Sequence, residues 1–288
     1  MNYVDRSRVL RSTIDRSVNF VENLSKGRYF EARYVRRTND YFIVYLSSQS
    51  ACNQGCKFCH LTTTGQTLPT NASRDEMVKQ ARIVFEHYRS LDDPARSVNF
   101  NFMARGEPLV NDDVDDELLL RLGKFALERS VRPNFLVSTI MPKSMKKSLN
   151  ERFSLVQPEI CYSLYSVNKE FRKKWMPAAM PVDDAMSLLL DWQRQSGKLV
   201  KIHYAMIKGQ NDDERSVDDV IDVVKRSKLR VNVNLIQYNP PDAESEPATE
   251  RSYDLAFDAW TKAFPDAVVR IVPKVGFDVK ASCGMFVS

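Results

Sequence analysis

Short runs rich in Val, Ile, Tyr and Phe alternate along the chain with longer stretches whose apolar residues recur at helical spacing. The runs are YFIVYLSS (41–48), SVNFNFM (97–103), NFLVST (134–139), EICYSLY (159–165), LVKIHYAM (199–206) and VNVNLIQY (231–238). Each is followed by polar loop residues, so six strands are expected. Between them, Ser73 with Glu76 forms a capping box ahead of Met77, Ala81, Val84, Phe85 and Tyr88. Ser216 with Asp219 gives the same start signal before Val217, Val220, Ile221 and Val224. Residues 114–128, 182–195 and 250–264 are further helix candidates, the middle one opened by Pro181. Strict strand–helix alternation places the chain in the α/β class with a parallel sheet. Curled, that sheet is a partial (β/α)6 barrel; an open doubly wound sheet is the competing layout, and periodicity alone does not separate the two.

Ahead of this series, residues 1–27 read as an Arg-studded amphipathic helix. FEARYVRR (30–37) then pairs with the 41–48 run through the Thr38-Asn39-Asp40 turn. The expected division is an N-terminal extension over 1–40, a helix plus the first hairpin strand, followed by the barrel over 41–288. The polar stretch PPDAESEPATERS (240–252) reads as a loop over the barrel mouth.

Composition narrows the class without naming a function. A chain of 288 residues with 43% hydrophobic content is long enough for one large α/β domain. Its 42 Lys+Arg against 37 Asp+Glu give +5, compatible with nucleic acid without requiring it. No apolar run approaches the roughly 20 residues of a membrane span, and the opening residues lack the compact apolar stretch of a secretory signal. A cytoplasmic, membrane-free monomer is the expectation. Three of the five cysteines fall between 52 and 59, a spacing that reads as metal ligation rather than a disulfide framework.

Cys52, Cys56 and Cys59 form C-x3-C-x2-C directly after the 41–48 strand, at the carboxyl end where α/β barrels build their sites. Three thiolates can hold three corners of a [4Fe–4S] cluster and leave the fourth iron open to the amino and carboxylate groups of S-adenosylmethionine. Zinc is the alternative metal, with His60 as a fourth ligand. However, His60 adjoins Cys59 and would strain to reach the same ion, and no second CxxC or HxxxH pair is present. Gly106-Glu107-Pro108 follows the next strand, where a carboxylate can accept from an ammonium and a glycine lets the backbone approach closely. Ser138-Thr139, Ser163-Leu164-Tyr165 and Asn239 close the later strands. Each alone reads as a turn former. Together they fall in one ring, as a central ligand requires.

The segments SSQSACNQGCKFC (47–59), FMARGEPLVN (102–111), VSTIMP (137–142), SLYSVNKEFRKKWMP (163–177), MIKGQNDD (206–213), VNLIQYNP (233–240) and KASCGMF (280–286) carry a more specific signal. In these the chain resembles the RlmN/Cfr family, radical S-adenosylmethionine methyltransferases acting on adenine in RNA, over residues ~30–286. The resemblance implies that one S-adenosylmethionine methylates Cys283 and that a second, cleaved at the cluster, gives a 5′-deoxyadenosyl radical. That radical takes hydrogen from the new methyl group. The carbon radical on Cys283 adds to adenine, at C2 or less readily C8, and a base removes the ring proton. By position Glu31 matches the base, and Gly106, Glu107, Ser138, Ser163, Leu164, Tyr165 and Asn239 match cofactor contacts. Ribosomal or transfer RNA is the implied substrate, and a flavodoxin or ferredoxin the implied electron donor.

Three positions depart from the family pattern. Seven residues before Cys52, where the family has a second catalytic cysteine that releases product by forming a disulfide, stands Tyr45. Cys161 is the other internal thiol, in phase with Ser163 and about 6.6 Å deeper along its strand. Only about 30 residues stand where typical members carry an RNA-binding accessory domain. Basic clusters at Arg6, Arg8, Arg11 and Arg16, at Arg33, Arg36 and Arg37, at Lys143, Lys146 and Lys147, and at Arg172, Lys173 and Lys174 are the substitutes available. The family's histidine after SL is Tyr165, and its Arg-Gly run is Pro273-Lys274-Val275-Gly276. Two further readings follow: a radical enzyme of the same architecture with another substrate or product, and a non-catalytic iron–sulfur RNA-binding protein.

Overall fold

The computed structural model describes residues 7–25 and 28–288. Ten strands form one sheet in strictly sequential order: β1 (Ser7–Arg11), β2 (Val18–Ser25), β3 (Arg28–Val35), β4 (Tyr41–Tyr45), β5 (Ser97–Phe102), β6 (Arg132–Thr139), β7 (Glu159–Ser163), β8 (Val200–Ala205), β9 (Val231–Ile236) and β10 (Val269–Val272). β1 to β4 are antiparallel neighbours, and every pairing from β4 to β10 is parallel. The helices are α1 (His60–Thr63), α2 (Arg74–Arg89), α3 (Asp116–Leu127), α4 (Leu149–Arg152), α5 (Lys169–Trp175), α6 (Val182–Ser196), α7 (Glu214–Ser227) and α8 (Glu250–Ala263).

The strand order decides between the two layouts left open by the sequence. A doubly wound sheet reverses its order at a switch point, and no reversal occurs between β4 and β10. With right-handed crossovers, sequential order puts the helices on one face and lets the other curl inward, as in a partial barrel. Alternate strand residues divide accordingly. Phe42, Val44, Val98, Phe100, Phe102, Ile160, Ile202, Tyr204, Val233 and Leu235 are buried in the main core beneath the helices. At about 1.5–3 kcal/mol per large apolar side chain fully buried, this layer dominates stability. The opposite set, including Tyr45, Asn99, Asn101, Lys201, His203 and Asn234, lines the lumen. Neighbouring amides there bond across strands, Asn134 Nδ2 to Asn99 Oδ1 at 3.0 Å.

All six expected strands form, and the sheet adds a seventh parallel one, β10, whose four residues include Arg270 and lie at the exposed edge. The Ser73–Glu76 capping box is present. α7 starts earlier than expected: Asp213 caps it by accepting from the Ser216 amide, so Ser216 sits inside the first turn. The largest correction concerns the N-terminus. Where an amphipathic helix was expected over 1–27, residues 7–11 and 18–25 are strands, while residues 1–6 and 26–27 fall outside the described residues. Val18, Asn19, Phe20 and Val21 are all buried, and pairing of Val18 with Tyr34 and Phe20 with Ala32 overrides helical periodicity. β3 joins β4 through the expected turn, Val35 opposite Ile43. Among the described residues no helix is long and apolar enough to cross a membrane.

Candidate functional site

The loop after β4 is fixed by backbone bonds before any ligand is considered. Cys52 N donates to Gln66 O at 3.1 Å, Cys59 N to Cys56 O at 3.1 Å, and Lys57 N to Trp175 O at 3.1 Å. Gly55, at φ +67, bends the loop, and a Cβ there would already touch Pro177 at 3.4 Å. The Trp175-Met176-Pro177 stretch is thus the shelf on which the cysteine loop rests, and the Phe58 and Tyr165 rings meet at 4.6 Å. Burial pushes the Cys52 thiol up to about 12 and Cys59 up to about 11, and it also raises Cys56; neighbouring thiols add to the shifts of Cys52 and Cys56. Without a metal these thiols hold their protons, so metal binding must displace them.

Cys52, Cys56 and Cys59 line one cavity of about 120 Å³ together with Gly106, Glu107, Ser138, Ser163, Tyr165, Asn239 and Cys283. Gly106 is required by its backbone: φ is +96, and a Cβ would stand 2.6 Å from Gln49 Cβ. Glu107 is held by the amides of Leu109 and Ile140, each 3.1 Å away, and its own amide donates to Gln49. Burial pushes its carboxyl up to about 7, against the pull of Thr139 and those amides. Arg152 braces this turn from below, donating to the carbonyls of Asn111, Val114 and Leu109. At the other strand ends, Asn211 donates to Tyr165 O at 2.7 Å and Ala205 O at 2.9 Å.

The cavity's polar wall fits an absent ligand. Asn239 Oδ1 is buried without a hydrogen-bond partner, and Ser138 Oγ has only the weakly bonding Cys161 thiol beside it, a costly state unless something else fills it. Among the described residues no three His, Cys, Asp or Glu side chains gather on a single ion. The thiols line one cavity instead, which suits a cubane taking one thiolate at each of three irons. Leu164 does not join the ring. Strand alternation turns its side chain, fully buried, into the core beneath the helices, while Ser163 and Tyr165 face the cavity.

A second cavity, about 260 Å³, occupies the lumen below. Cys283 lines both, and among the described residues it is the only thiol that does. Tyr45 lines the lumen, as Cys283 does, and burial raises its hydroxyl pKa. Cys161 is fully buried, lines neither cavity and is pushed up to about 11 by burial. It lies on the face of β7 that Ser163 shares, paired with Ser138 on β6.

Glu31 lies elsewhere than its expected role requires. It is 0% exposed and lines neither cavity. Its Oε1 accepts from Arg105 Nε at 2.7 Å and Val287 N at 2.9 Å, and its Oε2 from Arg33 Nη2 at 2.8 Å and Asn19 Nδ2 at 2.9 Å. Burial alone would raise its pKa, but the Arg33 and Arg105 guanidiniums hold it below the ordinary carboxylate range. Arg105, fully buried just before Gly106, escaped the sequence reading; only its position beside the GEP turn hinted at it. The basic clusters keep only part of their charge at the surface: Lys143, Lys146, Lys147, Lys173 and Lys174 are exposed. Arg33, Arg36 and Arg172 are buried and bonded to carbonyls, Arg16 pairs with Asp93, and Arg6 lies outside the described residues. Arg37 and Arg270 are exposed on the rim of the lumen.

The pattern of the Radical SAM superfamily matches residues 46–231. The chain is 31% identical over 255 residues, 83% of its length and 67% of the relative's, to the ribosomal RNA large subunit methyltransferase Cfr of Staphylococcus warneri. It is 29% identical over 288 residues to the dual-specificity RNA methyltransferase RlmN of Nitratidesulfovibrio vulgaris (strain DSM 19637 / Miyazaki F), covering 96% of this chain and 75% of that one. In fold it is similar to a radical SAM methyltransferase from Sphaerobacter thermophilus, with a TM-score of 0.80 at 22% identity over 97% of this chain and 81% of the other. Radical SAM enzymes use a [4Fe–4S] cluster and S-adenosylmethionine.

Proposed function

The chain belongs to the Radical SAM superfamily and, within it, to the family of the Cfr and RlmN methyltransferases, and on that premise we propose that it methylates an adenine carbon of ribosomal or transfer RNA, C2 rather than C8, through Cys283. The observation that carries this reading is the position of Cys283 on the wall shared by the cysteine-lined cavity and the lumen. A thiol placed there can receive a methyl group on one side and deliver it to a base on the other. Such delivery fixes orientation at a ring carbon that is too electron-poor to attack a sulfonium.

In this reading Cys52, Cys56 and Cys59 hold the cluster. Glu107 accepts from the ammonium of S-adenosylmethionine, Gly106 clears room for it, and Ser138, Ser163, Tyr165 and Asn239 take its remaining polar groups. Bound there, the two cofactors supply a primary carbon radical when a flavodoxin or ferredoxin donates an electron. The adenine enters the lumen, where Asn101 Oδ1 is buried without a partner and can accept from an exocyclic amine. With Tyr45 in place of a second thiol, and Cys161 fully buried and lining neither cavity, release of the methylated base falls to a thiol from outside the chain. One observation favours a second reading, a different product: Tyr45 and Cys283 line the same lumen.

The test is anaerobic reconstitution followed by mass spectrometry of the Cys283 peptide and nucleoside analysis of RNA from cells with and without the gene. A methylated Cys283 and loss of one methyladenosine in the deletion are expected. An unmodified Cys283 in active protein sinks the reading.

A further inference from the structure

The segment that carries Cys283 has no regular secondary structure from residue 273 onward, yet from Gly276 it is held chiefly by the N-terminal hairpin and a buried charge cluster, with Asn239 donating to Cys283 O and His60 N to Gly284 O between them. Asp15, in the β1–β2 turn, accepts from Gly276 N at 2.7 Å, and Asp278 accepts from Ser12 Oγ and Thr13 N, both at 2.8 Å. Gly276 packs so tightly on this turn that a Cβ would stand 2.7 Å from Ser17 Cβ. Asn19 Nδ2 then reaches Val279 O at 3.1 Å.

Beyond that point the grip becomes ionic. Arg33 donates to Ser282 O at 3.3 Å and to Met285 O at 2.6 Å. Arg105 donates to Val287 O, and the Val287 amide returns to Glu31 at 2.9 Å. The Phe286 ring lies beneath both guanidiniums, 4.9 Å from Arg33 Cζ and 5.7 Å from Arg105 Cζ. Two guanidiniums share one carboxylate, so the cluster carries an excess positive charge. Buried cations need acceptors for their remaining N–H groups, and the tail's carbonyls supply several of them. Docking of the tail and integrity of the cluster are therefore one equilibrium.

We propose that Glu31 acts in this chain as a positioning residue, the keystone of a latch with Arg33 and Arg105 that holds the Cys283 segment between the two cavities, and not as the group that takes a proton from substrate. Each carboxylate oxygen already accepts two hydrogen bonds, the group is wholly buried, and it lines neither cavity. The proposal rests on the reading of Cys283 as the methyl carrier, but its first readout does not.

The experiment compares cluster-loaded wild type with Glu31→Gln by amide hydrogen exchange and by mass spectrometry of the Cys283 peptide. Losing the charge should raise exchange at Ser282–Val287 by about tenfold or more, leave α2 within about twofold of wild type, and reduce Cys283 methylation without building up a covalent protein–RNA adduct. The opposite pattern overturns the proposal: a protected, fully methylated tail with an adduct that, unlike that of wild type, added thiol does not release because the ring proton stays on. Should Glu31→Gln fail to fold, Phe286→Ala keeps all three charged side chains and should loosen the same residues; an unchanged tail in that variant overturns the latch as well. Failure of the methyl-carrier reading would show separately, as an unmethylated Cys283 in wild type with the tail still protected.

Discussion

Two segments bring thiols to one cavity, and they are held there in opposite ways. Residues 52–59 follow a parallel strand, and their place is set by backbone bonds to Gln66 and Trp175 within the barrel's own loops. Residues 282–287 belong to no element and depend mainly on side chains, Arg33 and Glu31 from β3, Arg105 from the loop after β5, and Asn239, which donates to Cys283 O at 2.8 Å, with one backbone bond from His60 N to Gly284 O at 3.1 Å. The first segment inherits its position from the sheet and from neighbouring loops, Trp175 among them, through backbone rather than side-chain bonds. The second is positioned by a few charges whose loss would free it while leaving the barrel standing. Rigid thiols suit a cluster that never leaves, and a separately latched thiol suits a group that must serve two chambers.

The strongest test strikes the first segment. Cys56→Ser should drop iron from about four per chain to below one and cut S-adenosylmethionine cleavage by about a thousandfold or more, checked by iron analysis and product release. Retention of the iron would mean that the loop's backbone alone does not define the site. For the second segment, Arg105→Ala removes a fully buried cation that bonds Glu31, Ser50 O, Gln66 and Val287 O. A loss of about 3–5 kcal/mol in denaturant unfolding is expected, because Glu31 keeps its charge with half its counterions gone.

Glu107 gives the comparison a pH signature. Its folded pKa of about 7 lies above its ordinary value of 4.5, so its contribution is fully present below pH 4.5 and is lost as pH rises toward and through 7. In iron-free protein Glu107→Gln should remove a destabilisation on the order of 3 kcal/mol that is complete above pH 7, read from unfolding midpoints between pH 5 and 8. Glu31 has the reverse sign. Held below the ordinary range, it stabilises at neutral pH and fails only in acid. Gly106→Ala should cost about 1–3 kcal/mol and weaken S-adenosylmethionine binding, measured by equilibrium dialysis, since φ +96 and contact with Gln49 both oppose a Cβ. Smallest is Cys161→Ala, about 1 kcal/mol of stability with adduct release unchanged; slower release would return Cys161 to the reaction.

Much of the cavity was readable because its parts lie at strand ends. The alternation of strands and helices set the ring, and C-x3-C-x2-C, Gly106-Glu107, Ser138, Ser163 and Asn239 fell onto it by position. Leu164 was misplaced because the SLY motif was read as a unit although a strand turns successive side chains to opposite faces. The N-terminal hairpin was misread because its buried residues depend on partners in β3, and a lone segment of mixed periodicity does not announce them.

The sequence by itself determined that three thiols share one loop at a strand end, which glycine must be a glycine, and that the sheet from β4 onward is parallel, since all three follow from local chemistry and spacing. Only the tertiary structure decided what surrounds Glu31. Its partners lie 74 residues away at Arg105 and 256 away at Val287, and a carboxylate's role, base or keystone, is set by how many donors surround it and whether solvent or substrate can reach it. Those are properties of the folded neighbourhood, and no window of sequence contains them.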